Sequence, residues 1–234
     1  MNPALRRSAA HVFVNVIDAP VLSAEDSHHL VRVLRLRAGE SVSVSDGAGT
    51  WRTCTFTAEG GLLPDGEVHH DEPPRQSFTV GFALAKGDRP EWIVQKLTEI
   101  GIDRIVLIDA TRSIVRWDPA KASRNLERLG RVAREASMQS RRTRLPNIAG
   151  PFTVAQFTVG HLAGDGVAVA EPDGLPIGAQ VHTVLIGPEG GWSPAELEAA
   201  PTAVGLGPTI LRVETAAVVA ATLLTAGREG IATL

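Results

Sequence analysis

Two consecutive prolines, Pro73 and Pro74, follow Asp71-Glu72 and cut the chain into two rhythms. Neither proline can donate to a ladder or continue a helix, so the pair reads as a linker. Before it, the signals are those of short strands. Ser41-Val42-Ser43-Val44-Ser45 alternates polar and apolar, as a half-buried strand does. Asp46-Gly47-Ala48-Gly49 is a turn, and residues 51–57 return as its hairpin partner. Residues 11–16 form an earlier strand. One short helix follows Ser23, with Glu25 and Asp26 in its first turn and Leu30, Val33 and Leu34 on one face. Together these predict a small β-barrel over residues 1–72.

After the prolines, strands alternate with helices. Residues 78–84 read as a buried strand. Asp88 caps a helix that carries Pro90, Trp92, Ile93, Lys96, Leu97 and Ile100 and ends at Gly101. Residues 104–108 are a strand, 119–139 a long basic helix, and 167–170 and 182–186 two more strands. Ser193-Pro194-Ala195-Glu196 is a capping box. A last strand lies near residues 204–206 and a last helix over 214–226. This order predicts an α/β domain with a mostly parallel sheet over residues 75–234.

The 234 residues suit one large domain or two modest ones. No run approaches about 18 apolar residues, and the first residues lack a signal peptide's apolar core, so a cytoplasmic protein without a membrane span is expected. The single cysteine, Cys54, reads as a small buried hydrophobe. The net charge of −3 conceals a strong asymmetry. Residues 75–144 hold 15 basic and 8 acidic side chains, a net of +7, against −4 before them and −6 after. A basic block in an acidic chain predicts an anionic partner, nucleic acid above all. His28-His29 and His69-His70 are adjacent pairs that point apart, with no further ligand at metal spacing, so no metal site is expected.

The segment Leu185-Ile186-Gly187-Pro188-Glu189-Gly190-Gly191-Trp192 crowds three glycines and one carboxylate between a strand and a helix. In an open α/β sheet that position is a ligand site, and glycine admits a ligand to the backbone. The turn lacks the Gly-Lys-Ser/Thr ending of a triphosphate loop and the spacing of a dinucleotide fingerprint. A cationic or neutral ligand such as S-adenosylmethionine fits it better, and a plain structural turn is the alternative. Residues 206–216 repeat the design, with Arg212, Glu214 and Thr215 at the mouth of the following helix.

These motifs resemble the RsmE family of SPOUT methyltransferases. "GPEGG" followed by "S..E", and "LG..ILR.ETA", are similar to that family's two C-terminal signature loops. "KGDRPEWIVQKLTEIGI", "REASMQSRRTRLP" and "HHLVRVLRLRAGE" resemble three further family stretches in the family's order. Thr209 departs from a frequent arginine, Trp192 from a phenylalanine and Val213 from a threonine. The resemblance implies a PUA-like β-barrel domain followed by a SPOUT domain with a deep trefoil knot. It also implies a homodimer with each cofactor pocket near the partner subunit. The implied activity is S-adenosylmethionine-dependent methylation of N3 of a uridine in 16S ribosomal RNA of the small subunit. Another RNA target such as tRNA, or a non-catalytic RNA-binding protein of the same fold, are the alternatives.

On that resemblance, cofactor contacts fall on Ile186, Gly187, Pro188, Gly190, Gly191, Leu206, Gly207, Ile210, Leu211 and Thr215. Uridine N3 carries a proton, so the reaction calls for a base or for positive charge beside the uracil oxygens. Arg212 suits the second role; Glu189 and Glu214 are the candidates for the first. RNA contacts fall on Arg32, Arg35, Arg134, Arg141, Arg142 and Arg144, the last three having no acid nearby in sequence. Along the basic helix, intrahelical pairs such as Arg131 with Glu135 compete with that reading.

Overall fold

The computed structural model describes residues 2–159, 166–200, 202–228 and 230. They form two compact units, one of residues 1–74 with 134–145, the other of 75–133 with 146–234. The prolines thus end the first continuous segment, but a single cut there omits the return of residues 134–145 to the first unit. That return has a physical cause: Arg134 ion-pairs with Asp26 at 2.7 Å, and Arg141 donates to the carbonyls of Ser8 and Ala9.

The first unit contains α1 (Pro3–Arg7), β1 (Ala10–Phe13), α2 (Ala24–His28), β2 (Ser41–Ser45), β3 (Thr50–Phe56), β4 (Leu62–Pro64) and β5 (His69–His70). Its sheet runs β1-β2-β3-β4, with β5 also on β3. β1 is parallel to β2, and the β2–β3 hairpin is antiparallel as its turn predicts. Val12, Leu30, Val42, Val44, Cys54 and Phe56 fill its core. Burial pushes the Cys54 thiol up to about 11, as befits an inert hydrophobe.

Two expectations for this unit need correction. β2 is not half-buried: Ser43 and Ser45 are buried as well. They are tolerated because Ser43 bonds His11 and Ser8, and Ser45 donates to the Thr143 carbonyl. Nor does the helix after Ser23 bury one apolar face. Ser23 caps α2, but the chain then forms a π-helical turn, His29–Val33. The wider turn rotates the apolar positions apart, so Leu30 is buried while Val33 and Leu34 are exposed.

The second unit contains β6 (Thr79–Ala83), α3 (Arg89–Ile100), β7 (Arg104–Ile108), α4 (Pro119–Ser140, whose last turns belong to the first unit), β8 (Asn147–Phe152), α5 (Val154–Val159), β9 (Val167–Leu175), β10 (Thr183–Ile186), α6 (Pro194–Ala199), β11 (Ala203–Val204) and α7 (Val213–Arg228). Its six-stranded sheet, β11-β9-β10-β6-β7-β8, is parallel in every pair.

Alternate residues of each strand supply the two faces. Val80, Phe82, Ile105, Leu107, Val184 and Ile186 join Ile93, Leu97, Ala217, Ala220 and Leu224 of α3 and α7. Val106, Ile108, Val169 and Leu185 join Phe157 and Trp192 on the other side. Two apolar faces explain why these strands read as continuous hydrophobic runs. Gly101 ends α3 in the left-handed conformation, φ +107°, as expected. Asp88 stands at the α3 cap without a side-chain capping bond, its backbone at φ −91° and ψ 3°. Among the described residues no helix is long and apolar enough to cross a membrane.

A glycine-lined cleft at the carboxyl ends of the strands

β9, β10 and β11 end side by side, and the loops beyond them enclose a cleft of about 310 Å³. Its first wall is the turn after β10. Gly191 takes φ +68°, a conformation costly for other residues, and its N–H donates to Pro188 O at 2.8 Å. Trp192 folds back over the turn, so that a Cβ on Gly187 would lie 3.0 Å from its ring. Its indole is buried with Val169 and Leu185, and Nε1 approaches Ala170 O at 3.4 Å.

The predicted capping box fixes the start of the next helix. Ser193 caps α6, and Glu196 Oε2 accepts from the Ser193 N–H at 2.7 Å. Glu196 Oε1 also accepts from the Thr111 N–H at 2.8 Å, tying the chain after β7 to this turn. Burial pushes the Glu196 carboxyl upward, but the bonds from Ser193 and Thr111 outweigh it and the net shift is downward. Next to Thr111, Arg112 Nη1 donates to Gly190 O at 3.1 Å. Arg89, at the start of α3, pairs with Glu189 at 2.9 Å.

The second wall is the loop from β11 into α7. Leu206, Gly207, Ile210 and Leu211 line the cleft, with Val213 and Ala216 beneath them. Ile210 is 82% exposed, a large apolar side chain at the mouth with no core to fill. Of the ten residues expected to hold the cofactor, Ile186, Gly187, Pro188, Gly191, Leu206, Gly207, Ile210 and Leu211 line this one space. Gly190 and Thr215 do not. Gly190 faces Arg112, where a Cβ would lie 3.2 Å from the arginine's own Cβ, and Thr215 is exposed on α7.

The three candidate catalytic residues are placed differently. Glu189 lines the cleft but is paired with Arg89. Arg212 lies just before α7, exposed, its carbonyl accepting the Ala216 N–H. Glu214 lies in the first turn of α7, with Oε2 buried and unpartnered among the described residues.

A third wall was not read in the sequence: Ala170, Glu171 and Pro172 of β9. Pro172-Asp173-Gly174 reads as a strand breaker, yet β9 continues through it by bulging. Ala203 pairs Val169 and the next residue, Val204, pairs Leu175, so the intervening residues of β9 are pushed out of the ladder. Gly174 permits this, since a Cβ there would meet the Val204 backbone at 2.3 Å.

In the first unit, Arg32 within the π-helical turn and Arg35 just after it are exposed, Arg35 at φ +54°. Arg134, Arg141 and Arg144 are engaged with the protein itself. Arg134 binds Asp26 and lies over the Phe13 ring. Arg144 donates to Asp71 O, while Thr143 donates to the Asp71 carboxylate at 2.7 Å. An acid is therefore beside the 141–144 segment in space, though not in sequence. The Arg142 carbonyl accepts from His11 Nε2. Along α4, Arg131 pairs with Glu127 rather than Glu135, and Arg128 with Glu91. Of the paired histidines, His69 stacks on Trp51 and His70 contacts Thr50.

Residues 71–225 match the RNA methyltransferase domain family, and residues 22–62 the RNA methyltransferase PUA domain. The ribosomal RNA small subunit methyltransferase E of Mycobacterium bovis is 34% identical over 218 residues, covering 86% of this chain and 83% of its own. The Bacillus subtilis protein of the same name is 30% identical over 225 residues, 85% of this chain and 87% of its own. A Legionella pneumophila protein described as a methyltransferase, solved with the cofactor S-adenosylmethionine bound, aligns with a TM-score of 0.79 at 25% identity. The alignment covers 94% of this chain and 98% of that one.

Proposed function

The chain belongs to the ribosomal RNA small subunit methyltransferase E family, and from that premise we propose that it methylates N3 of a uridine in 16S ribosomal RNA, using S-adenosylmethionine. One observation carries the reading: two glycine loops, far apart in neither sequence nor space, line one cleft at the carboxyl ends of a parallel sheet. The residues present suit that cofactor. Ile186, Leu206, Ile210 and Leu211 offer apolar walls to a flat ring, the turn backbone offers polar groups, and among the described residues the charged side chains in the lining are carboxylates.

When bound, the cofactor supplies a methyl carbon activated by a sulfonium. The chain supplies position and charge. Arg212, at the mouth of α7, stabilises negative charge on the uracil oxygens as the N3 proton leaves. Glu214, in the first turn of α7, is the stronger candidate for accepting that proton, because the carboxylate of Glu189 is held by Arg89. Glu189 anchors the turn through Arg89. Arg32 and Arg35 meet RNA phosphates from the PUA-like unit. The same reading carries a trefoil knot in the C-terminal domain, a homodimer and a cytoplasmic site of action on the small subunit.

The test is incubation of the protein with labelled S-adenosylmethionine and small ribosomal subunits from a strain lacking the corresponding enzyme, followed by nucleoside mapping. One labelled 3-methyluridine in 16S RNA is expected. Label confined to tRNA, or none, overturns the proposal.

A further inference from the structure

The charge inside the cleft is unevenly compensated. Among the described residues its lining holds two ionisable side chains, Glu171 and Glu189, and no lysine or arginine. Glu189 is paired with Arg89 at 2.9 Å, so that pair sums to zero. Glu171 is half-buried and has no ion pair or side-chain hydrogen bond among the described residues. It is also placed there by construction. The β9 bulge carries residues 170–172 into the cleft wall, and three features fix it: Gly174 against the Val204 backbone, Gly205 N–H to Leu175 O at 2.8 Å, and Trp192 Nε1 to Ala170 O. A bulge of this kind re-aims a side chain that the regular ladder would leave beside its neighbours.

A lone carboxylate in a cleft walled mainly by apolar groups favours a ligand with one more positive charge over an otherwise identical neutral one. Methyl transfer makes that difference. The S–CH3 bond breaks, the methyl carbon bonds to the acceptor atom of the base, and the acceptor's proton is released. The S–C electron pair stays on sulfur, and the sulfonium becomes a neutral thioether. Resting on the functional reading above, we infer that Glu171 is a specificity-determining residue that makes the cleft discriminate S-adenosylmethionine from S-adenosylhomocysteine. The residue thereby favours cofactor entry and product release.

Calorimetric titration of each ligand separately into the full chain tests this, with Glu171→Gln and Asp173→Asn as variants. Asp173 lies on the same bulge, is exposed and does not line the cleft, so it controls for a change of net charge. The wild type binds S-adenosylmethionine more tightly than S-adenosylhomocysteine. Glu171→Gln weakens S-adenosylmethionine by roughly three- to tenfold, the range of a partly exposed charge contact, and leaves the product within about twofold. Asp173→Asn moves neither by more than about twofold. High salt narrows the wild-type ratio, as screening requires. If Glu171→Gln leaves the ratio unchanged while both ligands still bind, this inference fails and the functional reading stands. If the wild type binds neither ligand, both fail.

Discussion

The Glu189 carboxylate lies 2.9 Å from Arg89 Nη1, so the one charged side chain of the 187–191 turn is already committed. The pair fastens the turn to the first residue of α3. Both partners are substantially exposed, Arg89 at 41% and Glu189 at 68%, so the pair contributes below about 1 kcal/mol. Its role separates Glu189 from Glu214. Glu189→Gln lowers kcat less than about tenfold, whereas Glu214→Gln lowers it by about a hundredfold or more, as loss of a general base does. Single-turnover rates at saturating cofactor check both. A larger loss in the Glu189 variant reverses the assignment.

Glu196 is the hinge pin between the glycine turn and the chain after β7, because one carboxylate serves the N–H groups of both Ser193 and Thr111. Glu196→Ala strands two donors and costs about 1–3 kcal/mol in urea denaturation. Cofactor affinity falls with it, since the turn loses its outer support. Unchanged stability in this variant contradicts the clamp.

Arg134 serves the first unit more than it serves RNA. Its guanidinium meets the Asp26 carboxylate, 3% exposed, and the Phe13 carbonyl. Burial raises the Asp26 carboxyl, but the bonds from Arg134 and Ser23 lower it further, leaving it below the ordinary range. Asp26→Ala leaves a half-buried cation without its partner and costs about 2–4 kcal/mol. Thermal unfolding of Asp26→Ala and of Arg134→Lys measures this, the lysine variant being intermediate. A wild-type midpoint in both removes the structural role.

His11 gives the first unit a pH-sensitive joint. The imidazole is 2% exposed, with Nε2 donating to Arg142 O and Nδ1 accepting from Ser43 Oγ. Burial is the main cause that lowers its pKa from 6.5 to about 4. The unfolded chain therefore binds a proton between those values that the folded chain refuses. Stability is full above pH 6.5 and falls as pH drops toward 4, by on the order of 3 kcal/mol. The depressed carboxylates of Asp26 and Glu196 add stability that is full above their ordinary values of 3.8 and 4.5 and is lost as pH falls through their lowered pKa values. Urea titrations at pH 7, 5.5 and 4 show the slope, and His11→Gln flattens it. A wild-type profile flat over this window contradicts a buried neutral imidazole.

What was legible in the sequence was whatever local chemistry decides. The Ser193 capping box, the Gly101 helix end and the turn before β3 depend on a few adjacent residues and stand where expected. The two glycine loops were legible for the same reason. Glu171 was not, because Pro172 and Gly174 argue locally for a break, and only the distant pairing of Val204 with Leu175 converts the break into a bulge. The exposure of Val33 and Leu34 depends on a π-helical turn that helical periodicity does not anticipate. The 141–144 arginines looked unpaired because Asp71 lies about seventy residues away along the chain.

If the cleft between the two glycine loops is the cofactor site, a bulky charge placed in it displaces the cofactor. Ile210 tests it with the least ambiguity, since it lines the cleft yet is 82% exposed and supports no core. Titration of S-adenosylmethionine into wild type and Ile210→Arg is the direct measurement. One site per wild-type chain is expected, with at least about tenfold weaker binding, a loss of about 1.4 kcal/mol, in the variant and an unchanged unfolding midpoint. Equal affinity in the two proteins would place the cofactor elsewhere.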